Sequence, residues 1–287
     1  MRELRELAAR LLAERSVKVV IGWEEGPRGL RPAFVTTPDD AARLVFDHRA
    51  VHNLAAYLSP RRSHVRRLGK PAVVVKPCDA VAAAALVRES QLRRDEFVLI
   101  GVRCPGVAAR PDQEAPGNLA PRCAGCTRRE PAHCDHLLGE PITAPEQESG
   151  LDARVSAIEQ MTLAERWAFW TAEFERCVRC YACRQACPVC FCERCVADKT
   201  TPQWVESSPH GRGNLAWHLT RALHQAGRCA GCSECERACP VGIPLSLINR
   251  KLQQVVAARF GATASDDPSV PAPVGAFTLD DPQEFIR

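Results

Sequence analysis

One spacing governs what this chain can fold into, and it occurs twice. Cys177-x-x-Cys180-x-x-Cys183-x-x-x-Cys187-Pro188 is repeated as Cys229-x-x-Cys232-x-x-Cys235-x-x-x-Cys239-Pro240. Three thiolates at three-residue spacing wrap one side of a compact inorganic body, with backbone N–H groups turned towards it. The fourth leads into the next segment and points elsewhere. Where a chain holds two iron–sulfur cubes, the fourth cysteine of each run ligates the other cube. That rule assigns Cys177, Cys180, Cys183 and Cys239 to one 4Fe–4S cluster, and Cys229, Cys232, Cys235 and Cys187 to a second. Paired Cys-x-x-Cys units also make tetrahedral zinc sites, which is the alternative. A zinc ribbon has no use for a third cysteine three residues on and a fourth before proline.

The remaining composition narrows the class. A chain with 46% hydrophobic and 25% charged residues is not disordered throughout. Its net charge of +4 is too small to argue for a nucleic-acid partner. No continuous apolar run reaches the ~18 residues of a membrane span. The opening MRELRELAARLLAERS mixes Arg and Glu with Leu and lacks the apolar centre of a secretory signal. We therefore expect a cytoplasmic protein in which thiols stay reduced, so its 16 cysteines call for metal and not for a disulfide framework.

Along the chain, the first 15 residues set Leu4, Leu7, Leu11 and Leu12 on one helical face. Val17–Gly22 reads as a buried strand, Thr37–Asp40 as a helix start and Val51–Leu58 as a further helix. Strand Pro71–Lys76, helix Asp79–Ser90 and strand Glu96–Val102 then alternate, which suggests a small Rossmann-like parallel sheet. Regularity stops after Val102, and Glu140–Gly150 reads as an exposed linker. Helices are expected over 152–176, Gly213–Ala226 and Ile243–Phe260. The resulting class is α/β plus α: an α/β domain over 1–140, a linker over 141–160, a helical dicluster domain over 161–261 and a Pro-rich tail over 262–287.

A third metal site is expected at the ends of two strands. Cys78 follows the strand at 71–76 and Cys104 follows the strand at 96–102. If the strands are parallel neighbours, both thiols leave the same carboxyl edge, where open α/β sheets place their ligands. Cys123-x-x-Cys126 completes a four-thiolate set, and Asp79 caps the helix after Cys78. The bland alternative makes Cys78 and Cys104 buried apolar residues. Cys134, Cys190, Cys192 and Cys195 are left over, for a fourth cluster, a zinc ion or substitute ligands. Trp167, Phe169, Trp170 and Phe174 suit helix packing. Arg61, Arg62, Arg66, Arg67 and Lys70 form a basic patch, either a solvated face or a dock for an acidic partner.

Two resemblances follow from these residues. Residues 170–260 resemble the helical dicluster ferredoxin modules of heterodisulfide reductase and succinate dehydrogenase, which implies two 4Fe–4S clusters held between helices. Residues 70–140, with KPCD, GVRC, CAGC and CDHLLGE, resemble the beta-subunit family of deazaflavin-reducing hydrogenases and formate dehydrogenases. That family implies a further 4Fe–4S cluster and, in many members, a flavin. KPCD here replaces the family's TPCQ turn. No Gly-x-Gly-x-x-Gly follows a strand, so FAD or FMN binding is not carried over.

The expected function is an electron-transfer subunit that relays electrons between other oxidoreductase subunits of hydrogenase, formate dehydrogenase or heterodisulfide reductase type. No general base or covalent nucleophile is nominated, nor any HExxH, P-loop or Gly-x-Ser-x-Gly motif. The alternatives are a flavin-bearing subunit working on a nicotinamide or deazaflavin coenzyme, and a zinc-based interaction module.

Overall fold

A computed structural model of the chain describes residues 1–113, 118–146, 149–273 and 279. Helix α1, Arg2–Ala13, buries Leu4, Leu7, Ala8, Leu11 and Leu12, the face expected from their spacing. Strand β1 runs Val19–Gly26, longer than its β-branched start suggests, and turns directly into β2, Gly29–Val35. Gly29 has φ +86°, and a Cβ there would meet the Pro111 carbonyl oxygen at 1.7 Å. Only glycine tolerates both. β2 carries Pro32, which lacks the N–H a central strand needs. It survives as an antiparallel edge strand, where a missing donor does no harm.

Between β2 and the next strand the helix starts shrink. Asp39–Arg43 and Leu54–Tyr57 are single 3-10 turns, the second capped by the Asn53 side chain, which accepts from the Ala55 N–H at 3.0 Å. One turn forms an α-helix, α2, at Ser63–Arg66. Strand β3, Pro71–Val75, helix α3, Pro77–Arg88, and strand β4, Val98–Val102, follow the expected alternation. A short strand β5, His136–Leu138, pairs parallel to β4. The sheet order is β2-β1-β3-β4-β5, parallel apart from the first pair. β3 and β4 are buried along nearly their whole length, which is why they read as unbroken apolar runs.

The carboxyl half is helical. The stretch expected as one helix over 152–176 is two, α4 at Gly150–Glu159 and α5 at Leu163–Glu175. Thr162 separates them, since its hydroxyl caps α5 and Glu165 returns the bond to the Thr162 N–H at 2.8 Å. The short α6, Ala182–Ala186, and α8, Glu234–Arg237, lie inside the two cysteine runs. Between and after them come α7, Gly211–His224, and α9, Leu245–Phe260. Phe174, Trp217, Ile243 and Leu245 form the apolar centre here. Trp170 and Phe174 stack at 5.4 Å as expected, whereas Trp167 is 60% exposed. Among the described residues no helix is long and apolar enough to cross a membrane.

The two halves touch through specific bonds. Arg61 donates to the Cys190 carbonyl at 2.7 Å, and Arg62 to the Gln185 carbonyl at 2.9 Å, so part of the basic patch clasps the first cysteine run. Arg66, Arg67 and Lys70 remain exposed. The described start of the tail lies against the α/β half: Asp266 accepts from the Ala132 and His133 N–H groups at 2.6 and 3.2 Å. Residues 274–278 and 280–287 of the tail, Pro282 included, fall outside the described residues.

Candidate metal centres

The two cysteine runs adopt the same backbone. Arg179 and Tyr181 in the first have φ of 55° and 58°, and their counterparts Gly231 and Ser233 have φ of 70° and 54°. Three of these four are not glycine, and left-handed geometry costs such residues energy that surrounding structure must offset. The result is a matched N–H pattern: Arg179 donates to Cys177 Sγ at 3.4 Å, and Gly231 to Cys229 Sγ at 3.5 Å. Successive N–H groups turned inward form concave anion sites of the kind that hold phosphates and iron–sulfur clusters. Two further donors reach sulfur, Ile243 N–H to Cys239 at 3.4 Å and the Asn249 amide to Cys235 at 3.5 Å.

Each loop is pinned from below. Arg179 is 6% exposed; its guanidinium donates to the Gly213 and Glu206 carbonyls, each at 2.7 Å. Asn214 is fully buried on α7 and donates to the carbonyls of Phe174 and Cys177 at 3.0 and 2.9 Å. In the second run, Gln253 on α9 donates to the Cys229 carbonyl at 2.7 Å.

The sulfurs sort across the runs. Burial raises the Cys177 thiol, and the thiols of Cys239 and Cys180 push it the same way. Cys183 is pushed up to about 11, by burial first, with Cys235 and Cys177 adding. Cys187 is raised well above the ordinary thiol range by burial, with the nearby thiols of Cys190, Cys232 and Cys235 pushing the same way. Burial takes Cys229 to about 11 and Cys232 to about 12. Cys239 is near enough to act on Cys177, and Cys183 and Cys235 meet across the two runs. Cys187, Cys229, Cys232 and Cys235 line one hollow together with Arg221 of α7. Arg221 is 4% exposed; burial alone would lower its pKa, but the thiols of Cys235, Cys187, Cys183 and Cys190 outweigh it and hold the guanidinium charged.

At the sheet edge, Val75 pairs with Gly101, and Cys78 and Cys104 each stand three residues beyond that pair. Cys104 and Cys123 pack in one small apolar cluster with Val51, Val107 and Ala120, and the Val107 N–H donates to Cys123 Sγ at 3.4 Å. Cys104 is pushed up to about 11 by burial. Cys78 is raised well beyond the thiol range by burial and by Asp79, against Lys76 and Arg122, with Cys232 of the second run near enough to add. Cys126 lines a separate cleft with Cys229, Gly231 and Arg250. α3 starts earlier than expected, so Cys78 lies in its first turn and Asp79 is its third residue and not its N-cap. Asp79 accepts the N–H of the N-cap residue Lys76 at 3.1 Å and binds Lys76 Nζ at 2.9 Å in a pair with 1% and 0% exposed side chains. Lys76 Nζ sits 4.3 Å over the Trp23 ring.

Of the four leftover cysteines, Cys190, Cys192 and Cys195 line one hollow with Arg61, Arg184, Arg194, Lys199 and Arg228. Cys134 has different neighbours. It packs on Gly101, where any Cβ would meet its sulfur at 2.6 Å, and donates to the Pro131 carbonyl at 3.5 Å.

This donor set suits a multi-iron cluster. Tetrahedral zinc requires four donors about 2.0–2.3 Å from one centre. Among the described residues, no three His, Cys, Asp or Glu side chains group closely enough to hold a single ion. Soft thiolates around a larger body, with N–H groups aimed at sulfur, are iron–sulfur chemistry.

Residues 173–243 match the family model of the 4Fe–4S dicluster domain. The chain therefore carries such a domain across both cysteine runs up to Ile243. It is also similar to the F420-dependent formate dehydrogenase subunit beta of Methanocaldococcus jannaschii, 34% identical over 103 residues, which is 36% of this chain and 26% of the relative. The F420-dependent formate dehydrogenase 1 subunit beta of Methanococcus maripaludis is 31% identical over 106 residues, 37% of this chain and 27% of that protein. The chain thus spans about a quarter of the length of these curated relatives. Both resemblances read from the cysteine motifs hold, to the dicluster module and to the formate dehydrogenase beta subunit.

Several residues around the sulfurs carry no signal in a cysteine motif. Arg221, Arg179, Asn214 and Asn249 are polar residues at buried helix or loop positions. Arg221 lies four residues after Trp217 on a buried helix face that also carries Asn214 and His218, so no apolar pattern marks it.

Proposed function

We propose that this chain is an iron–sulfur electron-transfer subunit of a formate-dehydrogenase-like complex. Cys177, Cys180, Cys183 and Cys239 hold one 4Fe–4S cluster, and Cys229, Cys232, Cys235 and Cys187 hold the second. Cys78, Cys104, Cys123 and Cys126 hold a third. The Cys190, Cys192 and Cys195 hollow, with or without Cys134, is a fourth site. When bound, such clusters accept and release single electrons. The chain's own residues do the rest. Left-handed Arg179 and Gly231 turn their N–H groups to Cys177 and Cys229, and N–H···S bonds from residues 179, 231 and 243 stabilise negative charge on sulfur.

The observation that carries this reading is the doubled loop geometry, and the hollow that Cys187 lines with Cys229, Cys232 and Cys235 supports the exchange of fourth cysteines. The closeness of Cys78 to Cys232, with Arg122 acted on by Cys123, Cys78 and Cys232, supports a linear order: third site, second cluster, first cluster. We read the α/β half as a Rossmann-like domain over 1–140, joined through 141–160 to the dicluster domain over 161–261 and the tail over 262–287. We place the protein in the cytoplasm beside catalytic and flavoprotein subunits. The test is anaerobic purification of the full chain, followed by flavin extraction and dithionite reduction with reoxidation by a one-electron viologen acceptor. The relay reading expects reversible bleaching of the brown band and no extracted flavin. Stoichiometric flavin, or bleaching that a one-electron acceptor does not reverse, defeats it.

A further inference from the structure

We propose that Arg221 is a positioning residue shared by both clusters of the dicluster domain, a fixed positive charge standing between the two cysteine sets that raises the reduction potential of each. The inference rests on the reading of the two runs as 4Fe–4S ligands and adds to it the group that makes their potentials interdependent.

Arg221 lies on α7, the helix that runs between the two runs in sequence. Its Nη2 donates to the Cys183 carbonyl of the first run at 3.2 Å. The same side chain lines the hollow formed by Cys187, Cys229, Cys232 and Cys235, the set assigned to the second cluster. Its Nε is buried without a hydrogen-bond partner. None of the ion pairs among the described residues contains Arg221, in contrast to Arg184, which pairs with Asp198 at 2.8 Å, and Arg228, which pairs with Glu89 at 3.2 Å. An unpaired guanidinium is not normally kept in a protein interior. The sulfurs within reach are Cys183 of one set, Cys187 and Cys235 of the other, and Cys190 of the neighbouring hollow, which Arg221 also lines. The charge is therefore balanced only when those sulfurs carry negative charge, and each electron added to either cluster increases that balance. Removing the cation disfavours the added electron on both sides, so both potentials fall.

A purely structural role would tie Arg221 to the Cys183 carbonyl and leave the potentials alone. The experiment is a reductive titration of the anaerobically reconstituted full chain, followed by electron paramagnetic resonance and visible bleaching, with iron counted per chain. The variants are Arg221→Gln, Arg221→Met and Arg221→Lys. We expect the neutral variants to lower the reduction equilibrium constant of both dicluster clusters at least tenfold, about 59 mV for one electron. Arg221→Lys should stay close to the parent. Iron loss from both neutral variants with full loading of Arg221→Lys also supports the proposal, because the charge is then what the site needs. Unshifted potentials in a loaded neutral variant overturn it, as does a shift confined to one cluster or iron loss from all three. A parent chain without iron would refute the cluster reading itself, which is a different failure.

Discussion

Lys76 and Asp79 offer the sharpest energetic prediction, because both side chains are out of solvent. The ion pair is 2.9 Å long with 1% and 0% exposure. Lys76 Nζ also donates to the His52 carbonyl at 2.8 Å and sits over Trp23. Burial by itself would favour neutral lysine, but Asp79, then the thiol of Cys78, hold its pKa above the ordinary range. Lys76→Met leaves the Asp79 carboxylate buried beside an apolar chain, which costs about 3–5 kcal/mol for breaking such a pair from one side. Asp79→Asn leaves the ammonium similarly stranded, although its amide oxygen still accepts the Lys76 N–H. The double variant buries no net charge. It should lose only the carbonyl bond and the cation–π contact, about 1–2 kcal/mol together. The coupling is then about 3 kcal/mol or more, far above the ~0.5 kcal/mol expected of independent sites. Anaerobic urea unfolding by circular dichroism, at matched iron content, measures all four corners of the cycle. Additive single effects, or a Lys76→Met loss below ~1 kcal/mol, would show that the pair is not a desolvated ion pair and refute the reasoning.

Other consequences are equally checkable. His218 stacks on Phe174 at 4.6 Å with both ring nitrogens unpartnered, and burial depresses its pKa to about 3. Below the unfolded value of ~6.5 only the unfolded chain takes the proton, so stability falls on acidification, by about 2 kcal/mol at pH 5. His218→Phe should remove that share of the pH dependence in urea unfolding; an unchanged slope would contradict it. Asn214→Ala strips donors from two buried carbonyls and should cost about 2–3 kcal/mol, with faster chelator-driven loss of the first cluster than of the second. Equal loss rates would speak against its anchoring role. Cys239→Ser should reproduce the paramagnetic spectrum of Cys180→Ser, and Cys187→Ser that of Cys232→Ser. The reverse pairing would mean that each run closes its own cluster.

Much of this was legible in the sequence, for identifiable reasons. Cysteine spacing is local information, and so is the β-branched run of β3 or the leucine face of α1. The C-terminal strand edge also followed, because a parallel β3–β4 pair with equal offsets to Cys78 and Cys104 leaves little freedom. What escaped was set by tertiary context. β2 depends on Pro32 lying at a free edge. The helix expected over 51–58 is only a 3-10 turn at Leu54–Tyr57, opened by Asn53. The single helix expected over 152–176 is split at Thr162, whose partner Glu165 completes a capping box. Lys76 looked like a mere departure from a motif, yet its burial pairs it with Asp79. Arg61 and Arg62 looked like solvent-facing charge, yet they bind carbonyls of residues 185 and 190. Arg61 and Arg62 find partners more than 120 residues away, and Lys76, although paired with nearby Asp79, is also held by His52 and Trp23, which no local pattern encodes.

The central claim is most directly tested by metal and acid-labile sulfide analysis of the anaerobically prepared full chain, with a paramagnetic spectrum after dithionite. The account predicts about 12 to 16 iron atoms per chain, matching sulfide, and signals from interacting reduced cubes. Stoichiometric zinc with negligible iron and no paramagnetic signal would contradict it.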